Sequence, residues 1–348
     1  MTAANLRTPL AALLLTLTAA SVCVAQSPEL RFGETVPRDV REMYDRGLRY
    51  LSETQAEDGG WEGGQQGPGV DGLCVIAFLA SGEDPNFGIY SNQIRKGLRK
   101  IIGTQDPTTG YMGNSMYHHG FAMLALAEAY GAVDDRNLWP PGDASTQRSI
   151  GEALELAVRL AITSQKKNSL GAWRYSPEAQ DADTSVSGSI LVGLLAARNS
   201  GVEVPDEAID RAIGYFKSMT ANNGQVAYAG GLGGLNESIA RISIATLVYS
   251  IARRQDLTQY AAAKTYLVDN MDTTGGHYKE YTLYYEAQAL FQGDGEAWEK
   301  WNKQLIRKLK TEQQENGSFD GSYGKPLATS MSLLALALNY RFLPIYER

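Results

Sequence analysis

The sequence predicts an all-α protein, an (α/α)6 toroid built from six helical hairpins. Three observations carry this reading. Helical segments of two kinds alternate along the chain, successive units recur every roughly 40 to 60 residues, and strand-like alternation is scarce. One kind of segment is amphipathic and the other is apolar nearly all round. A helix without a polar face must be enclosed by protein, so the apolar set belongs inside and the amphipathic set around it. An open solenoid would need polar capping repeats at its ends and would not need inner helices that are apolar on every side. A closed ring satisfies both patterns.

The chain opens its first amphipathic segment at Val36-Pro37, with Val40, Tyr44, Leu48 and Leu51 on one face. Others run over 90–103 and 148–164. Val204-Pro205 opens the fourth, with Ile209, Ile213 and Phe216 on one face, and 258–269 and 297–312 complete the set. The two prolines fit the first helical turn, where a missing N–H costs nothing. Between these lie Gly72 to Ala80, Phe121 to Ala129, Gly188 to Ala197, Ile242 to Ala252, Leu283 to Phe291 and Met331 to Leu338, the apolar set.

Ahead of the toroid, Arg7 precedes an apolar stretch from Leu10 to Ala25, with Cys23 and Ala25 at the minus-three and minus-one positions of a cleavage site. The expected organisation is a signal peptide over 1–25, a linker over 26–35 and one toroid over 36–348. The apolar stretch is short for a spanning helix, so the mature chain is expected to be exported, periplasmic or extracellular, and not inserted in a membrane. Cleavage removes Cys23 and leaves Cys74 inside an apolar run, which rules out an internal disulfide. Loss of Arg7 also takes the formal net charge from −7 to −8, which disfavours nucleic acid and anionic lipid as general partners.

The linking loops share a pattern. Gln55 to Trp61, Gln105 to Tyr111, Gln165 to Trp173 and Gln313 to Phe319 each set a Gln several residues before an aromatic, with Gly between. A Gln amide in that place can bond free backbone groups at adjoining helix ends while the aromatic packs on the next hairpin. These loops resemble the QW motifs of the prenyltransferase and squalene oxidase repeat family, which includes squalene–hopene cyclase and the β subunits of protein prenyltransferases. The resemblance spans roughly 36–348. It extends to Met116-Tyr117-His118-His119-Gly120-Phe121, Asp181-Ala182-Asp183-Thr184-Ser185, Tyr284-Tyr285-Glu286-Ala287-Gln288-Ala289, Trp298-Glu299-Lys300-Trp301-Asn302 and Leu343-Pro344-Ile345-Tyr346, which are similar to exported single-toroid members of unassigned activity.

If the inner helices run parallel, their N-termini meet at one mouth with a positive bias from the helix dipoles. Asp71, His118, His119, Asp181, Asp183, Glu237, Tyr281, Tyr284 and Lys325 are expected there. Asp181 and Asp183 are the catalytic candidates. In squalene–hopene cyclase an Asp-x-Asp-Asp-Thr motif protonates an alkene, a task for a carboxyl kept protonated by an apolar site and a partner carboxyl. This chain has one acid fewer. Aligned on Thr184, Ala182 falls in the proton-donating place; aligned on the first two acids, Thr184 falls where an Asp is expected. The plainer role for Asp183 or Thr184 is helix N-cap, worth about 1 kcal/mol.

Arg174, Tyr175, His118, His119, Tyr281 and Tyr284 are the ligand-binding candidates, set against core packing for the tyrosines. Trp61, Trp173 and Phe319 read as packing. Neighbours in a helix point about 100° apart, so His118 and His119 do not readily share an ion. The resemblance to prenyltransferase β subunits implies a Zn2+ held by Asp, Cys and His, but Cys74 is the one cysteine left and no ligand spacing is present, so no metal or cofactor is expected. Three functions stay open: a squalene-cyclase-like toroid holding an apolar isoprenoid, a polysaccharide lyase or hydrolase on the same ring, and a non-catalytic scaffold or binding protein. The last would compare with the macroglobulin thioester toroid without its Cys-Gly-Glu-Gln signature. No protein partner is specified.

Overall fold

The computed structural model describes residues 36–140, 147–343 and 345. The segments expected as leader and linker, 1–35, and the tail residues Pro344 and 346–348 lie outside the described residues. Among the described residues there are twelve α-helices. The outer six are α1 (Arg38–Thr54), α3 (Ser91–Gly103), α5 (Ile150–Lys167), α7 (Asp206–Met219), α9 (Thr258–Asp269) and α11 (Gly295–Glu312). The inner six are α2 (Pro68–Leu79), α4 (Met116–Ala129), α6 (Thr184–Asn199), α8 (Ile239–Ile251), α10 (Lys279–Gly293) and α12 (Lys325–Ala337). Each inner helix packs on the next and α12 returns to α2, while α11 packs on α1, so the ring is closed. Every residue of α2 is buried, as an enclosed helix requires. Pro37 and Pro205 stand at the N-cap, one residue outside the turn expected for them.

The ring is stitched by the glutamines. Gln165 donates its amide N–H groups to Gly171 O in its own loop and to Ala208 O in the first turn of the next outer helix, both at 2.8 Å. Gln55 does the same with Gly59 O and Gln93 O, and Gln105 with Gly110 O and Ala153 O. Gln313 reaches Gly317 O and Met43 O, which hooks the last loop onto the first outer helix. The Trp61 and Trp173 indoles donate back to Leu51 O and Ala161 O in the C-terminal half of the preceding outer helix.

Two details depart from the sequence reading. In the second loop the place of the aromatic is taken by buried Met112, which pairs with Gln105, while Tyr111 packs beside it on His119. A fifth loop also has the same turn, with Thr220 paired to Val226. There Gly224 (φ 87°) lies so close to α9 that a Cβ would come within 2.3 Å of Ala262 O, as Gly317 (φ 88°) does with Arg46 O at 2.2 Å. Only glycine allows that backbone and that approach.

A second anchor runs from five of the six loops to the inner helix. The N–H of Trp61 is accepted by Asp71, that of Met112 by His119, that of Trp173 by Ser187, that of Phe319 by Thr329 and that of Asp272 by Glu286. Different side chains do one job, satisfying a buried donor that would otherwise be orphaned.

Replacing Gln165 by Ala removes two buried hydrogen bonds, one to the loop carbonyl of Gly171 and one to the Ala208 carbonyl, which keeps its own helical partner. The expected loss is about 2–3 kcal/mol of stability, read as a lower urea midpoint at unchanged slope.

Candidate functional site

The loops that enter the inner helices gather at one end of the ring. Asp183 caps α6, its buried carboxylate accepting the Val186 N–H at 2.8 Å through Oδ1. Its other oxygen, Oδ2, faces Arg174 Nε at 3.3 Å, an ion-pair contact without hydrogen-bond geometry. Arg174 also binds Asp181 through Nη1 at 2.7 Å. The guanidinium carbon lies 5.4 Å from the Tyr175 ring centre and 5.5 Å from that of Tyr228, and the two tyrosine hydroxyls meet at 2.6 Å. One cation therefore holds two carboxylates and two aromatic faces.

The surrounding loops explain the placement. Asn168 donates to Ala179 O and Asp181 O, fixing the turn that carries Asp181. Thr184 donates its N–H to Tyr228 O, and the Met116 N–H binds Tyr175 O. Burial raises the Asp183 carboxyl, opposed by the Val186 N–H and by Arg174. Asp181 by contrast is exposed.

The remaining candidates separate into three groups. Tyr281 and Tyr284 enter the ring centre. Tyr117, Phe121, Tyr281, Tyr284 and Tyr285 pack there in tilted and edge-on pairs with centroids 4.9 to 6.2 Å apart. Burial raises the Tyr281 hydroxyl, which also feels the Asp183 charge, so this aromatic column begins where the Arg174 cluster ends. His119 is fully buried with both ring nitrogens bonded to backbone, Nδ1 accepting from Met112 and Nε2 pairing with Ala157 O. Burial pushes its pKa down to about 4, so it is a neutral loop anchor and not a mouth residue. His118 is half-buried, its Nδ1 accepting the Gly69 N–H, and burial lowers its pKa too.

Of the other residues expected at the mouth, Asp71 is the buried anchor of Trp61, its carboxyl raised to about 6 by burial. Glu237 accepts the Tyr266 hydroxyl, and Lys325 pairs with Asp320 at 3.3 Å. Among the described residues no group of three His, Cys, Asp or Glu is placed to hold a metal ion.

The sequence reading missed Tyr228, Tyr215 and Tyr117, and two exposed tyrosines, Tyr278 and Tyr323, which stack at 6.1 Å with planes 5° apart. Both stand in loops entering inner helices, and Tyr323 also feels the Tyr175 hydroxyl. The signal for Tyr228 was the Gly224 turn four residues earlier, unread because Thr220 and Val226 stand where the other loops have Gln and an aromatic.

No protein-family model matches the sequence, and no curated protein matches it. Solved structures do. The GH76A alpha-1,6-mannanase from Salegentibacter sp. HEL1_6 superposes with a TM-score of 0.61 at 11% identity, over 86% of this chain and 99% of that one. An inactive variant of it in complex with alpha-1,6-mannotetrose gives 0.61 at 12% identity, over 86% and 99%. The type II terpene cyclase MstE from Scytonema, in complex with geranylgeranyl dihydroxybenzoate, gives 0.58 at 13% identity, over 88% and 98%. At these identities the likeness shows the fold: an (α/α) toroid that glycan-cleaving and terpene-cyclising proteins share.

Substituting Asp183 separates its two roles. Asp183→Ala loses the cap and is expected to cost about 1–2 kcal/mol, whereas Asp183→Asn keeps an acceptor for Val186 and should cost clearly less; urea denaturation of both variants checks the order.

Proposed function

We propose that this chain is an exported toroid that binds a glycan across the mouth of its ring without cleaving it. The observation that carries this is the commitment of Arg174 to both carboxylates, beside a set of tyrosine faces on the same end of the molecule. Glycoside cleavage needs one carboxyl protonated and one free. Arg174 pairs with both Asp181 and Asp183 and opposes the rise that burial imposes on the Asp183 carboxyl, an arrangement that suits positioning better than proton transfer.

The tyrosines suit a sugar chain. A pyranose ring offers a C–H face and a rim of hydroxyls, and a tyrosine offers an apolar face ending in a hydroxyl. Tyr175, Tyr278 and Tyr323 are all exposed, and Arg174 adds donors beside Tyr175. The glycan complex of a structural neighbour agrees with a sugar ligand for this fold, and the leader-like N-terminus agrees with export. No described helix is long and apolar enough to cross a membrane.

Titration with neutral oligosaccharides, beginning with alpha-1,6-mannotetrose, should quench tyrosine fluorescence, and Tyr175→Ala or Tyr323→Ala should weaken binding about tenfold. The incubated glycan should show no new reducing ends. Release of reducing ends, lost in Asp181→Asn, would overturn the non-catalytic reading.

A second reading has one observation in its favour: the raised Asp183 carboxyl stands beside the aromatic column of Tyr117, Tyr281 and Tyr285, groups that stabilise cations. On that reading the ring opens to admit an isoprenoid. Native mass spectrometry with lipid extraction of protein from its own source decides between the two, since the isoprenoid reading expects a co-purifying terpenoid that is diminished in Asp183→Asn, and an empty protein removes it.

A further inference from the structure

The loops entering α6 and α8 leave a cavity of about 560 Å3 between them, against the flank of α7 and at the rim of the mouth. That volume falls within the range of about 300–1,000 Å3 usual for small-ligand sites. Arg211 is the one charged residue on its described walls. Its Nη2 donates to Gln165 O at 3.3 Å and Asn168 O at 3.2 Å, which pins the guanidinium against the loop. Among the described residues no carboxylate lies within ion-pair distance of it.

Tyr215 lines the same cavity. It is buried, and its hydroxyl has no hydrogen-bond partner among the described residues. The two acids that bear on Tyr215, Asp181 and Asp183, are engaged by Arg174. A cation without a counter-ion and a buried hydroxyl without an acceptor both suit an anionic oxygen. Across the cavity, Gly230 (φ 71°) and Gly231 (φ 86°) have open space where side chains would stand, so this wall is bare backbone.

We propose that this cavity is an anion subsite that seats the carboxylate of an acidic sugar, a uronic acid residue, within the glycan held across the mouth. The subsite rests on the glycan reading above and deepens it: Arg211 reads the charge, and the tyrosines of the mouth hold the rest of the chain. Tyr215 joins the two, since it lines the cavity and also feels Arg174, Asp181 and Asp183.

The test is calorimetric titration of the full mature chain with an oligogalacturonate and with a neutral oligomannoside of equal length. Wild type should bind the uronate about tenfold more tightly, the effect of one charge-assisted contact. Arg211→Gln should abolish that preference and leave the neutral sugar unchanged. Because Arg211 also braces a loop, Ser218→Asp provides the second variant: the Ser218 hydroxyl bonds only Tyr215 O within its own helix, so a negative charge enters the wall with the ties of Arg211 intact. It too should abolish the preference.

Equal binding of the two sugars by wild type, or a preference that survives both variants, would overturn the subsite while the mouth reading stands. Uronate binding that Arg211→Gln and Ser218→Asp abolish but Tyr175→Ala leaves untouched would support the subsite and remove the mouth reading. Binding of neither sugar would overturn both.

Discussion

One side-chain amide sets the geometry of this ring. In four loops a glutamine bonds a carbonyl of its own turn and a carbonyl near the start of the next outer helix. Helix packing alone allows neighbouring hairpins to slide and tilt against one another. Two bonds from one planar group allow much less. The glycine that follows completes the constraint by letting the turn lie directly against the next outer helix.

The same constraint decides what the mouth can present. The four glutamine loops are each held at three places, by the glutamine, by the glycine's contact with the next outer helix and by a polar anchor on the inner helix. The residues between those fixings are therefore displayed from a rigid frame, the arrangement a binding surface needs. Arg174, Tyr175 and Asp181 all belong to the third loop, and Tyr228 follows the fifth turn, close enough for one guanidinium to touch both.

The fold was legible because enclosed helices have no polar face and amphipathic ones do, a contrast visible in Leu73 to Leu79 against the segment containing Val40, Tyr44 and Leu48. The glutamine loops were legible where Gln and a large aromatic coincide. The fifth was hidden because Thr220 and Val226 have neither, and there the backbone turn at Gly224 carries the pattern. For the site, Arg174, Tyr175, Asp181 and Asp183 were readable as a contiguous acidic and aromatic loop. His119 was misleading. A polar residue at an inner-helix start looks like a ligand in one dimension, yet Asp71, His119, Ser187, Thr329 and Glu286 serve as acceptors for loop N–H groups, a role visible only once the loop is folded back on the helix. Tyr228 and Arg211 come from elements remote in sequence, and no local spacing announces them.

Closure of the ring carries a kinetic consequence. Gln313 and Met43 are 270 residues apart, while the other three glutamine hooks join residues 38 to 48 apart. Forming the long contact costs the entropy of closing a very large loop, and that cost is offset only after the intervening hairpins have stacked. The seam between α11–α12 and α1–α2 is thus the step on which assembly waits. Until it forms, the first and last hairpins each expose an unpartnered face, so the nascent chain is an open arc able to recruit a second copy before it can recruit its own end.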